Sequence, residues 1–214
     1  MREKWTVSIL SENSYILDSL ENIFSEAASF QVLNITNSGD VLMKCLLLRQ
    51  PDIIIADFSV NTIDRNLTGF TNLTILRKKY PDVKVIVLTS LKNAGIFKML
   101  LEHGAMAVIS KNDPVKEAEK ACFTIMEQKR VYLSPGIQTI LDNSDNHPKS
   151  SMLTAKELEV VRLFASGYTL SQIADRQNRT ISTVSTQKWS AMRRLGITTN
   201  SELIRYAFSQ GIIV

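Results

Sequence analysis

The sequence predicts an α/β domain with a doubly wound five-stranded parallel sheet, followed by an all-α domain of four helices. The first 130 residues alternate short apolar segments with helical segments, whereas the pattern from Leu153 onward is helical throughout. Between the two patterns, residues 142–151 are polar apart from one proline, which is typical of an exposed connection. We therefore place the domains at residues 1–131 and 152–214, with a linker at 132–151.

Five segments of the first domain have the composition of β-strands. They are Trp5–Leu10, Gln31–Asn34, Asp52–Asp57, Val83–Ser90 and Ala105–Ser110. The third and fourth lack polar alternation, as expected for parallel strands that helices cover on both faces. Helical segments are predicted at Tyr15–Ala28, Gly39–Arg49 and Pro114–Gln128. This order of strands and helices favours a doubly wound parallel sheet.

The second domain opens with a helix-start signal. Thr154 is a predicted N-cap, and Glu157 three residues later completes a capping box. Gly167 ends this helix, and Gly196 stands where a glycine commonly follows a helix. Three further helices are predicted at Leu170–Gln177, Ser182–Leu195 and Ser201–Gln210.

Composition limits the class of protein. No apolar run approaches the roughly 18 residues that a membrane-spanning helix needs. The N-terminus leads into a strand without the apolar core of a signal peptide. Cys45 and Cys122 lack the spacing of a metal site or a disulfide framework, so we expect two buried thiols in a reducing compartment. These features predict a cytoplasmic protein without a membrane segment.

Basic residues concentrate in the second domain. Residues 141–214 contain nine Lys and Arg against six Asp and Glu, whereas residues 1–140 contain 16 against 15. Within 167–195, five basic residues are accompanied by one acid, Asp175. Such a cluster attracts phosphates by charge and counterion release, although a solvated helix face has the same composition.

The predicted short helix, turn and longer helix of residues 170–195 form a helix-turn-helix, whose second helix enters the major groove of DNA. On this second helix, Val184, Ala191 and Leu195 share the face expected to pack inward. The opposite face carries Ser182, Ser185, Thr186, Trp189 and Arg193. Hydroxyls can bond to base edges or phosphates, and cations can neutralise phosphates. An ordinary amphipathic helix facing solvent would show the same pattern.

Several short motifs follow one another over about sixty C-terminal residues. They are Leu153-Thr154-x-x-Glu157-x-Glu159-Val160, Ala165-x-Gly167, Ile173-Ala174, Thr183-Val184 and Leu195-Gly196. Together they resemble the LuxR/NarL/FixJ family, and the segment 185–196 is most similar to the Rcs capsule-regulator branch. The resemblance implies binding to promoter DNA. It places Ser185, Thr186 and Trp189 toward the bases and Lys188 and Arg193 near phosphates, and Ser182 and Arg194 complete the predicted contact set.

Trp189 departs from the family pattern, which usually has a basic or small residue there. A tryptophan on this face either contacts a thymine methyl or covers a partner helix. The family also dimerises through its last helix, where Leu203, Ile204 and Ala207 form an apolar stripe. Core packing explains part of that stripe as well.

Three polar residues follow or end strands of the predicted sheet. Asp57 ends the third strand, Thr89 ends the fourth, and Lys111 follows the fifth. Parallel α/β sheets place their sites at this carboxyl edge. A carboxylate flanked by a hydroxyl and an ammonium suits a phosphoryl acceptor, because both neighbours can hold the added oxygens. Three unrelated polar residues at strand ends are the alternative.

Residues 5–128 resemble the response-regulator receiver family. The resemblance makes Asp57 the phospho-acceptor, Thr89 the switch hydroxyl and Lys111 the phosphate-binding lysine. The family's acidic pair after the first strand is replaced by Ser11-Glu12. A weakly held Mg²⁺ is therefore expected on Glu12, Asp57 and the backbone carbonyl of Ser59.

Other departures weaken the receiver pattern. Val60-Asn61 replaces a Met-Pro turn, Asn112 replaces a proline, and Val108 stands where an aromatic residue is common. Two versions of a dimeric regulator remain open. In one, a sensor kinase or acetyl phosphate modifies Asp57. In the other, the receiver is a docking module for a homodimer or a heterodimer with a related regulator.

Two further classes compete with a DNA-binding regulator. An enzyme is disfavoured because His103 and His147 stand beside no plausible nucleophile and the sequence has no glycine-rich phosphate loop. A regulator whose helix-turn-helix binds another protein stays open because Trp189 is unusual. Steep loss of DNA affinity with salt would count against it.

Overall fold

The computed structural model describes residues 4–58, 69–144 and 153–213. The chain divides into two compact units. The first contains the described residues within 1–58, 71–90 and 100–138, and the second those within 59–70, 91–99 and 139–214. Ser59, Val60-Asn61, His147 and most of the polar part of the predicted linker lie outside the described residues.

A parallel sheet forms the centre of the first unit. Its order is β2-β1-β3-β4-β5-β6, so the first strand lies inside the sheet and the chain winds outward in both directions. This order confirms the predicted doubly wound fold, and it places the ends of β1, β3, β4 and β5 beside one another. The strands are β1 Trp5–Leu10, β2 Phe30–Thr36, β3 Ile53–Asp57, β4 Lys84–Thr89, β5 Ala105–Ser110 and β6 Tyr132–Leu133.

The sixth strand corrects the predicted count of five. Tyr132 and Leu133 pair with Ala107 and Val108 of β5 in parallel register. A strand of two residues is too short to show the period-two pattern from which strands are recognised. Ordered structure therefore continues beyond residue 131 into the predicted linker, where the helix α6 follows over Pro135–Ser144.

Helices pack on the sheet of the first unit around a core of aliphatic and aromatic side chains. Ile9, Ile53, Ile55 and Ile86 are fully buried. This burial explains why the sequence of β3 shows no alternation. The helices that contact this sheet are α1 Ser14–Glu26, α2 Gly39–Leu48 and α5 Lys116–Glu127. The chain also forms α3 Gly69–Lys79 and α4 Ala94–Glu102, which had no predicted bounds.

Four helices with sequence-encoded ends form the main part of the second unit. They are α7 Ala155–Ala165, α8 Leu170–Arg176, α9 Ile181–Leu195 and α10 Asn200–Ser209. The predicted capping box of Thr154 and Glu157 is present, and Thr169–Gln172 and Thr199–Glu202 form two more. Gly196 has φ 66°, a left-handed conformation that glycine adopts without steric cost.

The two cysteines differ in exposure. Cys122 is fully buried in the core of the first unit, and burial raises the pKa of its thiol. Cys45 is only half-buried, which corrects the expectation of two buried thiols. In the described part of the chain, no helix combines the length and apolar character needed to cross a membrane.

Candidate functional site

The end of β3 brings Asp57 into contact with two polar side chains. Ser11 Oγ donates a hydrogen bond to Asp57 Oδ2 at 2.9 Å, and Lys111 Nζ lies 2.5 Å from Asp57 Oδ1. The Asp57 side chain is largely buried. Sequence reasoning grouped Asp57 with Lys111, and the sheet order brings these residues together because β3 and β5 flank β4.

The two oxygens of Asp57 are held in different ways. Oδ2 accepts a directional hydrogen bond from Ser11. Among the described residues, no donor is aligned to hydrogen-bond with the buried Oδ1, so its contact with Lys111 is Coulombic. Coulombic attraction between unit charges at this separation is stronger in a partly buried site than in water.

Ser11 has a role that the sequence did not reveal. Its side chain is buried, and its hydroxyl also accepts a hydrogen bond from the backbone N–H of Asn13 at 3.1 Å. The sequence marked Ser11 only as a missing acid. Its bond to a residue 46 positions away depends on the pairing of β1 with β3, which no local pattern displays.

The loop after β5 is fixed by the segment that follows β6. Lys111 N–H donates to the carbonyl of Thr89 at 2.8 Å. Ser110 N–H donates to the fully buried Ser134 Oγ at 2.9 Å. Asp113 Oδ2 accepts from Gly136 N–H at 3.0 Å. These bonds position the backbone of Lys111 beside β4. No local pattern predicted the two bonds that involve Ser134 and Gly136.

Thr89 and Val108 are fully buried on neighbouring strands. Thr89 ends β4, directly beside the strand that carries Asp57. It therefore lies on the predicted edge of the sheet, in register with Ser110 of β5.

Few of the described side chains near Asp57 could act as oxygen ligands for Mg²⁺. Glu12 is exposed on the turn after β1, and both oxygens of Asp57 already have neighbours. Within residues 4–58, 69–144 and 153–213, no three acidic, histidine or cysteine side chains cluster as metal ligands. Mg²⁺ prefers six oxygen ligands and retains water readily, so two carboxylates fit it only loosely. The third predicted ligand, Ser59, lies outside the described residues.

In the second unit, α8 and α9 are joined by a tight turn. Asn178 in this turn has φ 51°, a left-handed conformation that asparagine tolerates better than most residues. Val184 and Ala191 are fully buried and Leu195 is half-buried, as the predicted inward face requires. The opposite face exposes four of the five predicted residues, Ser182, Thr186, Trp189 and Arg193, whereas Ser185 is half-buried.

The basic side chains of α9 differ in their surroundings. Arg193 is exposed. Lys188 Nζ donates to Asn200 Oδ1 at 2.5 Å and lies 4.1 Å from the centre of the Phe164 ring, and burial lowers its pKa. Arg194 Nε donates to Glu157 at 3.0 Å. Two of the three cations predicted to contact DNA therefore already hold the helices together.

Each of the two units matches a known protein family. Residues 7–121 match the response regulator receiver domain, and residues 151–207 match the luxR family of bacterial regulatory proteins. The chain belongs to the response regulator family. The receiver match includes Asp57, Thr89 and Lys111, and the luxR match includes α7 to α9 and most of α10.

Similar proteins span nearly the whole chain. Transcriptional regulatory protein RcsB of Escherichia coli is 26% identical over 204 residues, which cover 95% of this chain and 94% of RcsB. One similar structure is that of RcsB from Salmonella enterica serovar Typhimurium, bound to promoter rprA in the presence of the phosphomimetic BeF3⁻. It has a TM-score of 0.79 and 25% sequence identity, and the match covers 95% of this chain and 98% of that chain. A structure of two RcsB dimers bound to two parallel DNAs has a TM-score of 0.65, 24% identity and coverage of 97% and 99%.

Glu157 forms a second cluster, in the luxR-type helices. Its Oε1 accepts hydrogen bonds from Ser190 Oγ at 2.6 Å and Arg194 Nε at 3.0 Å, and its Oε2 accepts from Thr154 N–H at 2.8 Å. Burial opposes ionisation of Glu157, but these bonds and the charge of Arg194 outweigh it and lower the pKa. The capping box was visible in the sequence, whereas the bonds to α9 were not.

The predicted dimer stripe on α10 is mostly internal. Leu203 and Ala207 are fully buried, and Ile204 is half-buried. Tyr206 Oη accepts a hydrogen bond from Asn93 Nδ2 at 2.7 Å, and burial raises the pKa of Tyr206 to about 12. Core packing thus accounts for two of the three stripe residues.

Proposed function

We propose that this protein is a cytoplasmic, non-enzymatic transcription regulator that binds promoter DNA as a dimer. The observation that carries the proposal is the exposed face of α9, in a helix-turn-helix joined to a receiver. The Salmonella RcsB structure, 25% identical, is bound to promoter DNA. Ser182, Thr186, Trp189 and Arg193 form the exposed part of the proposed DNA contact, with Ser185 at its margin.

Lys188 and Arg194 of the proposed DNA-binding surface already have hydrogen-bond partners within the protein. Lys188 donates to Asn200, and Arg194 donates to Glu157 through Nε. Arg193 is therefore the principal phosphate contact that we propose on α9.

Control by phosphorylation at Asp57 is part of the proposal. A carboxylate oxygen of Asp57 attacks the phosphorus of acetyl phosphate or of a phosphohistidine on a sensor kinase, and the donor's leaving group departs. Lys111 and Thr89 then hold oxygens of the new phosphoryl group. Glu12 and Asp57, with Ser59, would hold a weakly bound Mg²⁺, which supplies neutralising charge when present.

A second candidate is a receiver that acts without phosphorylation. The hydrogen bond of Ser11 to Asp57 Oδ2 and the loose Mg²⁺ donor set favour it. The receiver then serves as a docking module for a homodimer or a heterodimer with a related regulator. For α10, we propose Ile204 as the contact residue, because it is half-buried whereas Leu203 and Ala207 are fully buried.

DNA binding can be tested by fluorescence anisotropy with a duplex pool of random sequence at several salt concentrations. We expect affinity to fall steeply with salt, and the log–log salt slope to decrease by about one in Arg193→Ala. Arg205→Ala, which removes an exposed arginine from α10, is the matched control and should keep the wild-type slope. Binding that is absent at low salt would refute the proposed function.

A further inference from the structure

The exposed face of α9 is dominated by one aromatic side chain. Trp189 is 71% exposed. With about 100° of rotation per residue, it lies within about 40° of Ser182 and Arg193, on the side away from the buried Val184 and Ala191. Its indole is therefore presented to whatever α9 meets.

Polar groups that commonly recognise bases are occupied within the protein. Thr186 Oγ1 donates to the carbonyl of Ser182 at 2.9 Å, and the Ser182 hydroxyl lies 3.0 Å from that of Thr180. Gln187 bears the amide side chain of α9, but its Oε1 is buried away from solvent. Bidentate recognition of adenine by an amide is thus unsupported on this face.

The basic side chains of α9 are less suited than the indole to distinguish one base from another. Lys188 and Arg194 bind Asn200 and Glu157. Arg193 is exposed but lies in the last turn of α9, whereas base contacts of a recognition helix concentrate toward its N-terminal part. The partners of Lys188 and Arg194 and the position of Arg193 therefore favour the exposed indole as a source of sequence preference.

We propose that Trp189 determines specificity by packing its indole against the C5-methyl group of thymine in the major groove. The methyl group is the distinctive apolar feature that base edges present there. The inference rests on the proposed binding of promoter DNA by α9. Burial of one methyl group against the indole should contribute about fourfold to affinity.

The test compares duplexes that differ only in this methyl group. A random duplex pool is enriched on the full-length protein, and the dominant duplex is synthesised with either thymidine or deoxyuridine. We expect wild-type affinity to fall about fourfold for each contacted thymine that is replaced. Trp189→Ala should bind the two duplexes equally, and circular dichroism checks that it is folded. Phe208→Ala, which truncates an aromatic side chain 55% exposed on α10, should retain the thymidine preference.

The outcomes separate this inference from the proposed function. Tight binding of the wild type with equal affinity for both duplexes overturns the role of Trp189 and leaves DNA binding intact. A thymidine preference that persists in Trp189→Ala also overturns it. A change in oligomeric state on substitution of Trp189, without a change in base preference, assigns the indole to a partner helix instead. Failure to enrich any duplex refutes the proposed function itself.

Discussion

Two buried carboxylates, one in each unit, are held by similar groups. Asp57 has a serine hydroxyl and a lysine as neighbours, and Glu157 has a serine hydroxyl and an arginine. Glu157 also accepts a backbone N–H, so both of its oxygens have directional donors. Asp57 Oδ1 is approached by a cation without an aligned hydrogen bond, at the carboxyl edge of a parallel sheet.

This difference shows why similar side chains have different uses. A carboxylate whose oxygens are satisfied between helices stabilises packing, and its bonds would have to break before it reacted. A carboxylate at a strand end, with one oxygen held only by charge, can exchange partners when a phosphodonor arrives. We therefore assign a structural role to Glu157 and propose a reactive role for Asp57.

Glu157→Ala should produce the largest loss of stability. It removes the acceptor of Arg194 and Ser190 and one side of the capping box, so we expect a loss of about 2 kcal/mol. Urea unfolding followed by circular dichroism measures it. Glu159→Ala breaks a two-bond ion pair with Arg162 that lies within one helix, and it should cost less, about 1 kcal/mol. Equal losses in the two variants would contradict the assigned role of Glu157.

Lys111→Ala should slow phosphorylation of Asp57 by acetyl phosphate. It removes the cation at Oδ1 that would hold a phosphoryl oxygen, and loss of one such stabilising group typically costs about 100-fold in rate. A phosphate-affinity gel follows the time course. Lys116→Ala, an exposed lysine in α5, is the control and should react at the wild-type rate. An unchanged rate in Lys111→Ala would remove this lysine from the reaction.

Ser11→Asp should raise the affinity of the Asp57 site for Mg²⁺. The substitution replaces a hydroxyl that binds Asp57 with a second carboxylate beside Glu12, and metal affinity rises with the number of charged ligands. We expect the Mg²⁺ concentration that gives half-maximal phosphorylation to fall by about an order of magnitude. Ser14→Asp is the control, because Ser14 lies at the exposed start of α1, and its half-maximal Mg²⁺ concentration should stay at the wild-type value. No change in Ser11→Asp would show that position 11 lies outside the metal's reach.

The smallest expected effect is a pH dependence of the stability of the second unit. Hydrogen bonding holds the pKa of Glu157 below its ordinary value of 4.5, so its ionised form stabilises the fold at higher pH. The stability difference between wild type and Glu157→Gln should be constant above about pH 5 and should shrink as pH falls through the lowered pKa. Urea midpoints from pH 7 to pH 3 measure it. A difference that grows on acidification would contradict the assigned ionisation.

Local patterns predicted much of the fold. The continuous apolar run of β3 and the capping box of α7 each depend on neighbouring residues, and both are present in the structure. β6 was missed because two residues carry no measurable period. The helix α6 was assigned to a linker for a different reason, because its sequence mixes polar residues with only a few apolar ones.

The candidate site was predictable for residues at the ends of the parallel strands, because the order of strands and helices along the chain indicates that these ends share one edge of the sheet. Asp57 ends β3 and Lys111 follows β5, and the parallel topology places both residues at the same edge of the sheet. Ser11, Ser134 and the bonds of Glu157 to α9 required tertiary contacts across 24 to 46 residues. The surroundings of Lys188 were missed for the same reason, since Phe164 and Asn200 lie on other helices.

The measurement that tests the contrast between the two carboxylates most directly is phosphorylation of full-length protein by acetyl phosphate with Mg²⁺. Wild type, Asp57→Asn and Glu157→Gln are compared on a phosphate-affinity gel, and the modified residue is identified by mass spectrometry after borohydride trapping. We predict a shifted band in wild type and Glu157→Gln that is absent in Asp57→Asn, with the label on Asp57. An unshifted wild type that still binds DNA would contradict the reactive role of Asp57 and leave the receiver as a docking module.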